Sequence, residues 1–86
     1  MESEVNVMKP NLLKSKRISK GLLQKKAAEE LGLTEKSYNH KENGKTEFKT
    51  NEILKISSVL NLTIDDVNEI FFDNSLPNGN RSVISS

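Results

Sequence analysis

Apolar residues recur along this chain at intervals of three and four, in short runs broken by glycine, threonine or asparagine. Spacing of that kind places one face of a helix against a core. Pro10 suits a first helical turn, where its missing N–H costs nothing, and no breaker follows until Gly21. The spacing therefore predicts a helix over residues 10–20. A second helix is expected over 24–31, where Lys, Ala, Glu and Leu are good helix formers and Gly32 supplies the stop. Thr34 offers an N-cap for a third helix over 35–42, ended at Asn43-Gly44. Residues 45–50 read as a loop, after which Thr50 or Asn51 caps a fourth helix with Ile53, Ile56 and Leu60 on one face. Thr63 with Asp66 three positions on has the form of a capping box. It opens a fifth helix with Ile64, Val67, Ile70 and Phe71 on one side.

No segment alternates long enough to make a strand, and no repeat is present. The expectation is all-α: a compact bundle of five short helices joined by short connections. Three regions are expected: an acidic arm over residues 1–8, the helical domain over 9–72, and a polar, flexible tail over 73–86.

Composition narrows the function. Eighty-six residues make one domain, and a chain of that size buries only about 60% of its unfolded surface. There is no cysteine, which excludes disulfides and thiolate metal sites. No apolar run approaches the roughly 20 residues that span a bilayer, and the first ten residues lack the apolar stretch of a secretory signal. These features point to a soluble, cytoplasmic protein.

The net charge is +1, but it is unevenly distributed. Residues 9–50 hold 11 Lys and Arg against 5 Asp and Glu; residues 51–86 hold 2 against 5, and residues 1–8 hold two Glu alone. A basic middle between acidic ends is what an anion-facing surface requires. Catalysis finds little support: one His, no Gly-rich phosphate loop and no spaced metal ligands. Asp65-Asp66 is the one acid pair considered, and adjacent helical residues point about 100° apart, so a first-turn dipole role fits it better. No enzyme activity, cofactor, metal site or small-molecule ligand is expected.

Residues 22–46 are the informative stretch, with two helices of about eight residues joined by a turn at Gly32. Ala28 is small where the third helix crosses the second, Gly32 can take φ > 0, and Leu33 fills the angle between the helices. Gln24 opens the second helix, where backbone N–H groups favour a phosphate.

At these positions the sequence resembles the phage repressor and Cro type (XRE family) of helix-turn-helix domain. The matching residues are Gln24 with Ala28, the Leu-Gly-Leu-Thr of residues 31–34, and the Glu-Asn-Gly-Lys of residues 42–45. Lys16, Arg17 and Ile18 upstream and residues 60–66 downstream also look like the family, so the resemblance covers residues 11–72. It implies a lambda repressor-like fold in which the second helix lies on the DNA backbone and the third enters the major groove. The outward positions Glu35, Lys36, Ser37, Asn39 and His40 are then the base-contacting set, and Gln24, Lys25, Asn43 and Lys45 the phosphate-contacting set. The same charges at Glu35 and Lys36 also suit an ordinary solvated helix start.

By resemblance, Arg17 pairs with Glu42 and braces the loop that carries Asn43, while Leu62, Phe71 and Phe72 contribute to a twofold interface. The alternative for Phe72 is that it only closes the core. Three positions depart from the family pattern. Leu23 forfeits an N-cap, Lys41 occupies a usually apolar slot with its stem expected to run along the core, and Tyr38 takes an aliphatic slot. The function so implied is sequence-specific binding of double-stranded DNA by a dimeric repressor covering a pseudo-palindromic operator. The alternative is an antitoxin or other interaction module whose tail, with Leu76, Val83 and Ile84, grips a protein.

Overall fold

The computed structural model describes residues 8–73. Five helices follow in order: α1 (Pro10–Ser19), α2 (Gln24–Leu31), α3 (Glu35–Glu42), α4 (Thr50–Val59) and α5 (Ile64–Phe72). No strand occurs among the described residues. The expected helix boundaries hold to within one or two residues, because the local signals are physical ones. The Thr34 hydroxyl accepts the Ser37 N–H at 3.0 Å, and Thr63 and Asp66 exchange reciprocal 3.0 Å bonds at the head of α5. Gly32 ends α2 at φ 72°, in left-handed space. A Cβ built there would meet nothing within 4 Å, so glycine is required by the backbone conformation rather than by crowding.

α2 packs against both α3 and α4, and α1 against α3 and α5. Their common core holds Leu13, Ala27, Ala28, Leu31, Tyr38, Phe48, Ile56, Leu60, Ile70 and Phe71. Ala28 is 1% exposed, so a larger side chain would have to displace its neighbours. Tyr38, Phe48 and Phe71 form an edge-to-face series with centroids 6.0 and 5.5 Å apart.

Four details differ from the sequence reading. The cap of α4 is Lys49, whose N–H donates to Glu52 at 2.9 Å; Thr50 already lies inside the helix. Phe48, in the stretch read only as a loop, plugs the core. Ile64 does not share the core face of α5: in the first turn it projects outward and is 71% exposed. Packing also reaches one residue beyond each end of the 9–72 stretch. Met8 packs against the core, and the Lys9 N–H bonds the Ile70 carbonyl at 2.8 Å. Asp73 takes a left-handed conformation after α5 and pairs with the Lys9 ammonium. Residues 1–7 and the tail residues Leu76, Val83 and Ile84 lie outside the described residues.

Candidate nucleic-acid interface

The surface in question is built on a buried carboxylate. Glu42, at the end of α3, is fully buried. A carboxylate in such a place is tolerable only if its lone pairs are satisfied. Arg17 donates from Nε at 2.7 Å and from Nη2 at 3.2 Å, Tyr38 from its hydroxyl at 2.8 Å, and Gln24 from Nε2 at 2.8 Å. Arg17 also donates to the Leu22 carbonyl at 2.6 Å, so one guanidinium ties α1 to the turn before α2 and to α3. Burial pushes the Glu42 carboxyl up, but the bonds from Arg17, Gln24 and Tyr38 outweigh it and hold the group below its ordinary value. Burial raises the Tyr38 hydroxyl, and its bond to Glu42 raises it further, so it remains a donor.

A second buried pair lies one residue earlier. Lys41 does not run its ammonium out to solvent: it is 8% exposed and bonds Glu52 on α4 at 2.5 Å. Burial opposes ionisation of Glu52, while the bonds from Lys41 and the Lys49 N–H hold its carboxyl low. The C-terminal half of α3 is thus fastened to α1 through Glu42 and to α4 through Lys41. The signal for the second pair was an apparent misfit, a lysine in an apolar slot eleven residues before a glutamate.

The outer turn of α3 is left exposed. Glu35 and Lys36 lie in solvent, while Ser37, Asn39 and His40 are half-buried along the same helix. Of the phosphate set, Lys25 is exposed in the first turn of α2 and Lys45 just beyond α3. Leu23 precedes α2 with no side-chain cap, leaving the first N–H groups of that helix for an external acceptor. Asn43 caps α3, and its amide donates to the Asn39 carbonyl at 2.9 Å. Gln24 is partly committed: besides its bond to Glu42, its Oε1 accepts from Asn39 Nδ2 at 3.1 Å. Arg17 and Lys41 are spent in the interior, so two of the eleven basic residues of the central segment do not face a ligand. Among the described residues, Lys14, Lys20, Lys25, Lys36, Lys45 and Lys49 carry no ion pair within 4.0 Å.

The helix-turn-helix family model matches residues 13–67, from the first core leucine of α1 into α5. The chain belongs to the phage repressor and Cro type of helix-turn-helix proteins. At family level this helix-turn-helix chain is a DNA-binding transcription regulator. No curated protein and no solved structure matches it. In this helix-turn-helix, α2 and α3 are the two motif helices and Gly32 lies in the turn between them.

The residues expected at a twofold interface are unevenly placed. Phe71 is 7% exposed and belongs to the core, whereas Leu62 and Phe72 are half-buried at its edge. Among the described residues, the exposed large apolar side chains are Leu23, Ile64, Leu54 and Ile18, none of them in the expected interface set. Among the described residues no helix is long and apolar enough to cross a membrane, and no group of three or more His, Cys, Asp or Glu could hold a metal.

Proposed function

We propose that this protein acts in the cytoplasm as a sequence-specific repressor, binding as a homodimer to a pseudo-palindromic operator. The observation that carries the reading is the arrangement of α3. Its C-terminal half is locked by two buried ion pairs, its first turn leaves Glu35 and Lys36 exposed, and the uncapped start of α2 is bonded to it through Gln24 and Asn39. A helix held so firmly is suited to offer side chains to base edges in the major groove, because little ordering remains to oppose binding. Lys36 would donate to guanine O6 and N7, Glu35 would accept from cytosine N4, and His40 would donate to an acceptor edge. Gln24, Lys25, Asn43 and Lys45 would hold phosphates and set the register.

One such domain spans too few base pairs for a unique site, so two copies about one helical turn apart are required. The partly covered Leu62 and Phe72, with the exposed Ile64 between them in sequence, offer an apolar contact for the second copy. Selection of bound duplexes from random DNA tests the reading. Enrichment of a site with two inverted half-sites is the expected result; recovery of unrelated sequences would refute it.

A further inference from the structure

The buried Arg17–Glu42 pair fixes more than the position of α3: it fixes the polarity of an amide at the surface. A carboxylate can only accept, so Gln24 must turn Nε2 toward Glu42, which it does at 2.8 Å. That leaves Oε1 pointing the other way, toward Asn39. Asn39 must therefore answer with Nδ2, which donates to Gln24 at 3.1 Å. Each amide in the series can be read in one sense only, because the first acceptor is a buried anion held by a guanidinium. Asn39 is half-buried on α3, one turn beyond Glu35 and Lys36. Among the described residues nothing donates to its Oδ1, and a second Nδ2 hydrogen remains.

We propose that Asn39 is an adenine-reading residue and that Gln24 is its positioning residue. The inference rests on the DNA-binding reading above and specifies part of it. An asparagine amide with its oxygen and one N–H unpartnered among the described residues matches adenine, whose N6 amino group donates and whose N7 accepts. Unfixed, the same amide could flip and offer its edge in either sense. The chain from Glu42 through Gln24 removes that freedom and so selects adenine against bases with a different donor and acceptor order. Gln24 keeps one Nε2 hydrogen for a phosphate, so it links backbone register to base identity.

The test is parallel selection from random duplex DNA by the full chain and by Asn39→Ala, Gln24→Met and Lys45→Ala, each checked for an unchanged helical spectrum. The wild type is expected to enrich an adenine at one position of each half-site. Asn39→Ala and Gln24→Met should both lose that preference, by roughly tenfold or more in relative affinity against the other bases. They should keep the preferences at neighbouring positions. Lys45→Ala should bind more weakly while selecting the same bases. Asn39→Asp supplies a second readout: having only acceptors, it is expected to move the preference toward cytosine, which offers its N4 amino group. If Asn39→Ala selects the wild-type site unchanged, the assignment is wrong. If Asn39→Ala loses the adenine and Gln24→Met retains it, the positioning role is wrong. Absence of any enriched site with the wild type would overturn the DNA-reading proposal itself, and this one with it.

Discussion

Arg17 shows how much one side chain can hold. Removing it leaves Glu42 as a buried charge without its main partner, at a cost of roughly 3–5 kcal/mol. Lys16, beside it, makes only a partly exposed 3.4 Å contact with Asp66. Thermal denaturation should therefore show Arg17→Ala melting well below Lys16→Ala; equal, small shifts would contradict the pairing. Acid should act on the same groups. Glu42 and Glu52 titrate below their ordinary values because their partners outweigh burial, and Asp66 because the Thr63 N–H and Lys16 favour its charged form. Carboxyls depressed in the folded state stabilise it fully above the ordinary carboxylate range and lose that stabilisation as pH falls through their folded values. Chemical denaturation from pH 7 downward should show stability falling below about pH 4, with a smaller fall in Glu52→Gln. The Arg17–Glu42 pair was legible through family resemblance. The Lys41–Glu52 pair was not, since a single lysine in an apolar pattern does not reveal which acid faces it across another helix.

At the scale of elements, caps and turns were the most legible features because each is a local hydrogen-bond problem with few solutions. Thr34, Gly32 and the Thr63–Asp66 box all appear where the sequence put them. Phe48 was missed because a loop residue has no periodicity, and Ile64 was placed inward because periodicity says nothing of a first turn that overhangs the core. Gly32→Ala should cost about 1–2 kcal/mol, the penalty of a left-handed residue bearing a Cβ, measurable by denaturant titration with unchanged helix content. The exposed first turn of α3 and the loop that follows the helix should divide their labour. Lys36→Ala is expected to relax preference at one base position, while Lys45→Ala weakens all duplexes alike and flattens the salt dependence. Binding curves against single-base variants of the site, taken at several salt concentrations, distinguish the two behaviours.

For the whole molecule, the charge of +1 conceals a basic central segment, yet not all of that charge faces outward. Arg17 and Lys41 are buried structural cations, and Lys9, Lys16 and Lys26 have acidic neighbours. The expected consequence is modest sequence-independent affinity with a shallow salt slope, which the proposed base contacts and second copy would supplement. The sequence disclosed the fold and the two motif helices, α2 and α3. It did not disclose the chain of bonds from Arg17 to Asn39, because donors and acceptors on three helices meet only once the helices have packed. The central claim is that α3 reads double-stranded DNA, and fluorescence anisotropy at physiological salt tests it most directly, comparing a selected duplex with a shuffled one of equal composition. Tighter binding of the selected duplex by roughly a thousandfold or more is the predicted result; equal affinity for the two, or none for either, would contradict it.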